Sequence, residues 1–170
     1  MKWIGALLFI STTTGIGFEV SKHLDDRPKH IRQLKNALQI LEAEILYSQS
    51  PLKEAFALIA AQIPYPTKTF FKAMSQQIME ADSDLHELWQ ENIRHFKKIS
   101  SLEANDEEIL NQFGRTLGQH DFDQQQKHIH LAITHLDREL EEAKDKQRKY
   151  AKLSKGLGIL CGLFIVLLLI

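Results

Sequence analysis

Leu117–Ile129, LGQHDFDQQQKHI, admits two readings, and they lead to different proteins. Read as chemistry, His120-Asp121 is the kind of doublet used by helical metal-dependent phosphohydrolases. That chemistry needs several His and Asp side chains converging on metal ions. The surrounding histidines do not supply them. His128 and His130 are two apart and leave a helix in different directions. His135 follows His130 by five, His86 and His95 are nine apart, and no His-x3-His pair exists. Read as structure, the stretch is a helix boundary. Gly118 suits the left-handed residue that ends one helix. Asp121 suits the cap of the next, accepting from the amide of Asp123 or Gln124 while Gln124 reaches back. Asp123 adds negative charge where the helix dipole favours it. Such a cap contributes about 1 kcal/mol, so Asp121→Ala is expected mainly to lower stability. The second reading makes the chain all-helical from Phe122 onward.

Working outward, the same spacing recurs. Phe122, Ile129, Ile133, Leu136, Leu140 and Ala143 form one apolar stripe, which turns polar at Gln147. Ile31, Leu34, Leu38, Leu41 and Ile45 step by three and four, predicting a helix from about Arg27 to Tyr47. Ser50-Pro51 is read as the cap and first position of a helix carrying Leu52, Ala55, Phe56, Ile59 and Ile63. Pro64 and Pro66 end it. A third helix holds Phe70, Phe71, Met74 and Ile78. A fourth begins near Asp82 or Ser83 and holds Leu85, Leu88, Trp89, Ile93 and Phe96. Asn105 with Glu108 predicts a capping box for a fifth, with Ile109, Leu110, Phe113 and Leu117. No segment alternates as a strand does. The expected fold is an all-α antiparallel bundle of about six helices.

The chain has 170 residues, net charge -1 and a single cysteine. The charge gives no case for nucleic acid, and Cys161 alone excludes a disulfide framework. Both ends are apolar and uncharged, in WIGALLFISTTTGIGF (3–18) and GLGILCGLFIVLLLI (156–170). Both are short against the roughly 20 residues of a membrane span, and flanking lysines extend them by snorkelling. We read 1–21 as an N-terminal membrane helix, with a cleaved signal-like segment as the alternative. Residues 22–154 are the cytoplasmic bundle, and 155–170 a C-terminal membrane helix. Lys22, Arg27, Lys29, Arg32 and Lys35 follow the first run, and Lys144, Lys146, Arg148, Lys149, Lys152 and Lys155 precede the second. The positive-inside rule then puts the bundle in the cytoplasm. Gly158 and Gly162 form a small-x3-small pattern that can pack membrane helices closely.

Phosphate-loop, GxSxG and HExxH motifs are all lacking, so no cofactor is expected. The carboxylates of DRELEEAKDKQRKY (Asp137–Tyr150) are expected on a solvated face.

Four stretches carry a resemblance. LKNALQILEAEILYSQSPLKEAF (Leu34–Phe56), Trp89, FGRTLGQHDFDQQQKHI (Phe113–Ile129) and KGLGILCGLFIVLLLI (Lys155–Ile170) together resemble the stage III sporulation protein AB family over nearly the whole chain. His120 departs from the pattern, which has serine before the aspartate. The resemblance implies a component of the channel between mother cell and forespore, in the mother-cell membrane. It also implies a helical domain similar to the platform proteins of type II secretion and type IV pilus systems. By that analogy the partners are the hexameric secretion-type ATPase of the same operon and other channel membrane proteins, with a homo-oligomer allowed. Glu44 flanks the apolar stripe and Tyr47 departs from it, so this pair is a candidate contact, together with Asp121 and Gln125. Two other functions compete. One is a membrane-anchored phosphohydrolase using His120 and Asp121, which stoichiometric metal would favour. The other is a tether acting only through Gly158 and Gly162.

Overall fold

A computed structural model describes the backbone of residues 2–78, 84–118 and 122–169, and the side chains of 19, 21–78, 84–118 and 123–150. Among these residues there are six α-helices and no strand: α1 (Lys2–Ala43), α2 (Leu52–Gln62), α3 (Thr67–Gln77), α4 (Leu85–Ile99), α5 (Ala104–Thr116) and α6 (Phe122–Leu169). A π turn, Glu44–Ser48, closes α1. The expected all-α bundle is therefore found, with short connections between neighbours.

The stripes read from the sequence form its core. Ile31, Leu34, Leu38 and Leu41 of α1 are buried, as are Ile129, Leu136, Leu140 and Ala143 of α6. The two helices run antiparallel. Asp25 accepts from Gln147, Arg27 reaches Glu139, Lys35 pairs with Asp137, and Glu42 accepts from Gln126, so partner numbers fall along α6 as they rise along α1. Both helices run on toward their chain ends from the same end of the bundle. Pro28 lies inside α1. It has no amide to donate to the preceding turn, yet the helix continues through it. The helix expected to begin near Arg27 thus extends back to Lys2.

The middle helices pack around Trp89, which is fully buried and donates from Nε1 to the Leu110 carbonyl at 2.9 Å. Phe70 meets its ring edge-on at a centroid distance of 4.8 Å, and Phe113 meets it at 5.6 Å. Gly114 lets α5 approach this ring. A Cβ there would lie 2.2 Å from Trp89 Cδ1. Aromatic side chains at helical spacing are core here, each burying a large apolar area.

Three helix starts differ from the expected ones. Pro51, not Ser50, occupies the cap of α2, and Leu52 is its first residue. Ser50 instead donates from Oγ to Glu44 Oε2 at 2.8 Å. The capping box of α5 is Glu103 with Asp106, not Asn105 with Glu108. Asp106 is held there because it also pairs with Arg27, a tertiary contact that local pattern does not contain. Asp84 caps α4 and accepts from the His86 amide at 3.1 Å. The expected starts, Asp82 and Ser83, lie outside the described residues.

His30 ties α1 to the α4–α5 connection, its Nδ1 accepting from the Ser101 amide at 2.9 Å. That bond needs an unprotonated Nδ1. Burial lowers the His30 pKa below its ordinary value, and the nearby charge of Asp26 opposes this only in part. The unfolded chain therefore takes up this proton first as pH falls. The stability contribution is complete above the ordinary histidine value and is lost as pH falls through the folded value. Urea midpoints are expected to drop on going from pH 7.5 to 5.5, and His30→Gln is expected to flatten that drop. An equal drop in the variant would assign the effect elsewhere.

Candidate partner-docking surface

The π turn sits at the end of the bundle opposite the chain termini. Glu44 starts it, and the Glu44 carbonyl accepts from the amides of Gln49 and Ser50, the latter at 3.1 Å. Gln49 adopts the left-handed conformation, with φ of 50°. Ile45 remains buried and anchors the turn, whereas Tyr47 swings outward and is 86% exposed. Tyr65 and Tyr150 are exposed too, but Tyr47 is the most exposed large hydrophobic side chain among the described residues. A turn closed by a left-handed residue is a common way for a helix to end. The Glu44 carboxylate is occupied by the Ser50 hydroxyl, so Glu44 shapes the turn that presents Tyr47.

An open cleft of about 500 Å³ lies between α1 and α6 near the same end, lined by Glu42, Asp123, Gln126, Lys127, His130 and Leu131 among others. Leu131 is 53% exposed, an aliphatic contact within a polar rim. Gln126 donates across the α1–α6 seam from Nε2 to Glu42 Oε1 at 3.2 Å.

The other expected contact residues fall differently. Gln125 is buried, and its Oε1 accepts from the Gly118 amide at 3.3 Å. Gly118 has φ of +75°, the left-handed residue expected after α5. Gln125 thus braces the α5–α6 connection from inside. Asp121 and His120 lie outside the described residues. Gly158 and Gly162 fall within α6, and their surroundings lie outside the described side chains. Among the described residues no group of three His, Cys, Asp or Glu is placed to hold a metal ion. Among the same residues no helix is long and apolar enough to cross a membrane, and the side chains of 2–18 and 151–170 are not among those described.

Toward the opposite end is a cluster that the sequence reading did not find. Arg27 donates from Nε to Asp106 Oδ2 at 2.9 Å, from Nη2 to Asp106 Oδ1 at 3.0 Å, and from Nη2 to Glu139 Oε2 at 2.9 Å. Arg27, Asp106 and Glu139 are exposed by 2%, 0% and 1%. The expectation that every carboxylate of Asp137–Tyr150 is solvated is therefore corrected at Glu139. Arg27, counted among the juxtamembrane cations, is likewise a buried residue. Its Nη1 lies 3.2 Å from Glu103 Oε1, an ion-pair contact that is not aligned as a hydrogen bond. Burial opposes the guanidinium charge, but the three carboxylates outweigh it and raise the Arg27 pKa above its ordinary value. Asp106 also accepts from the Glu103 amide at 2.8 Å, completing the α5 cap. At the rim, Lys146 contacts Glu103 at 3.2 Å and Glu142 at 2.8 Å, partly offsetting the excess negative charge.

Known proteins agree with this architecture. The stage III sporulation protein AB family description matches residues 2–170. The stage III sporulation protein AB of Bacillus subtilis (strain 168) is 43% identical over 169 residues, covering 99% of each chain. A solved structure of a stage III sporulation protein AB is 42% identical and superposes with a TM-score of 0.69, over 73% of this chain and 98% of that one. Likeness in sequence over nearly the full length, and in helical fold over 73% of it, makes this chain a member of the stage III sporulation protein AB family.

Proposed function

We propose that this chain is a non-catalytic membrane component of the mother-cell-to-forespore channel complex of endospore formation, a platform that docks a cytoplasmic ATPase. The observation that carries the reading is the antiparallel pairing of α1 and α6. It sends both apolar chain ends out of one end of the bundle and leaves Glu44–Ser48 at the other. A platform needs this polarity, with anchors on one side and a docking surface on the other. The uncharged runs 3–18 and 156–170 serve as membrane helices in the mother-cell membrane, and the bundle between them is cytoplasmic. Gly158 and Gly162 are packing positions between membrane helices. Tyr47 is the leading contact for the ATPase, on the turn that Glu44 supports. Gln125 braces the neighbouring α5–α6 connection for it, and Asp121 is a further candidate contact.

The test uses the full chain in lipid nanodiscs, titrated with the hexameric ATPase of the same operon, with and without nucleotide. Saturable binding is expected. Tyr47→Ala is expected to weaken it at least tenfold, about 1.4 kcal/mol. Its thermal melt should stay unchanged, because the exposed ring contributes little to folding. Absence of binding by the bilayer-embedded chain at high micromolar ATPase would overturn the platform reading. Unchanged binding by Tyr47→Ala would move the docking surface elsewhere.

A further inference from the structure

We propose that the Arg27–Asp106–Glu139 cluster sets the axial register of α1 against α6, and so fixes where each terminal run stands relative to the bundle. The apolar seam constrains the axial register only loosely. The buried stripe of α1 is Ile31, Leu34, Leu38 and Leu41, and that of α6 is Ile129, Ile133, Leu136 and Leu140. Both carry branched aliphatic side chains at one-turn spacing, with Ala37 of α1 and Ala132 and Ala143 of α6 buried beside them. Sliding one helix by a single turn, about 5.4 Å, sets mostly aliphatic side chains against aliphatic side chains again, with mismatches only at the alanines. Volume-conserving aliphatic exchanges are the ones cores tolerate best. The polar contacts along the seam outside the cluster are permissive too, apart from the part-buried Gln147–Asp25 bond. Lys35–Asp137 and Glu42–Gln126 are exposed, and such groups find water or a neighbouring partner after a slide.

The buried cluster is different. Arg27, Asp106 and Glu139 are the only charged side chains buried among the described residues, and all three meet at one point. Arg27 bridges α5 and α6 with a planar fork whose geometry a displaced carboxylate does not satisfy. A one-turn slide would move Glu139 out of hydrogen-bond reach of Arg27 and leave it with only the exposed Arg138, 3.6 Å away, an unfavourable outcome for a buried carboxylate. A buried polar group that specifies register at some cost in stability has precedent in paired helices. The sequence separations of 79 and 112 residues show that the cluster joins three distant parts of the chain.

The experiment measures register directly. In the full chain with Cys161→Ala, nitroxide labels are placed at Lys29→Cys on α1 and Lys127→Cys on α6, both exposed positions. Pulsed electron resonance then gives the distance between them. The parent is expected to show one narrow peak. Arg27→Met, Asp106→Leu and Glu139→Leu together replace the charges with apolar groups, an exchange that commonly preserves folding. That triple variant is expected to melt cooperatively and to show a second peak displaced by about 5 Å. A single unchanged peak in a cooperatively melting triple variant would overturn the proposal.

A second variant moves the carboxylate rather than removing it. Glu139→Ala with Ala143→Glu shifts the acid one turn along the same face of α6. If the cluster sets register, α6 slides to bring the new carboxylate to Arg27, and the label distance increases by about 5 Å. An unchanged distance would count against the proposal. Loss of cooperative melting in both variants would also overturn it, since the cluster would then be a source of stability and not of register.

Discussion

Asp106→Ala is expected to lower the stability of the folded chain by about 3–5 kcal/mol, as does breaking a buried ion pair from one side. Asp106 has no exposed surface, and both of its oxygens accept from Arg27. Its removal leaves the guanidinium with Glu139 and with the misaligned, partly exposed Glu103. It also strips the Glu103 amide of its acceptor, undoing the α5 cap. Asp106→Asn keeps one acceptor of nearly the same shape and should cost less. Urea titration of both variants, with Arg27→Met and the Arg27→Met/Asp106→Ala pair, closes a double-mutant cycle. The double variant should lose less than the sum of the singles, because the second change removes a charge the first has orphaned. Strict additivity would mean that the two residues do not act on each other.

Trp89→Ala should be comparably severe, at about 3–5 kcal/mol. The indole is fully buried between the rings of Phe56, Phe70, Phe71 and Phe113, and its removal leaves a void that helices on three sides cannot close. The Leu110 carbonyl loses its indole donor as well. The opposite fault, overfilling, arises at Gly114. Gly114→Ala puts a methyl 2.2 Å from the indole Cδ1 and 2.5 Å from Nε1, so α4 and α5 must separate or the ring must turn. Overpacking of this kind costs about 1–3 kcal/mol. The two faults should offset each other. Trp89→Leu with Gly114→Ala is expected to be more stable than additivity allows, since the added methyl occupies space the smaller side chain vacates. Equal losses with and without the indole would show that the Gly114 effect does not come from contact with the ring, since helix propensity alone favours alanine there.

The sequence displayed the core plainly and the cluster not at all, and the reason is physical. Leucine and isoleucine at three- and four-residue steps have one stable use in a helix, so Leu34, Leu38, Leu136 and Leu140 announce their own burial. A charged residue announces exposure by default. Glu139, set among Arg138, Glu141 and Glu142, differs from its neighbours only in lying on the inward side of α6. The stripe through Leu136, Leu140 and Ala143 contains that angular information, because Glu139 stands three after Leu136 and four before Ala143. Asp106 was hidden by its own doubling of roles. Glutamate is a poorer cap than serine or asparagine, so local pattern points to Asn105 and not to Glu103. The Arg27 contact is what makes the Glu103–Asp106 box the one adopted. Tyr47 was legible as a break, two residues after Ile45 where a stripe would wait three or four. The π turn that produces its exposure was not, because an added backbone residue in a turn leaves no compositional mark.

The unbroken path of α1 has a consequence for the evolution of the chain's length. A residue inserted between the N-terminal run and Arg27 lengthens the rod by only about 1.5 Å, but it turns everything before it by about 100° about the helix axis. The face that the run presents to its neighbours is thus encoded by a residue count, as the teeth of a key are set by their distance from the bow. Single insertions or deletions ahead of Asp25 re-aim the run while leaving the contacts from Asp25 onward intact. Changes of seven residues nearly restore the original bearing, about 20° short of it or past it. The junction is therefore a place where alignments of related chains should be free in residue type and strict in length.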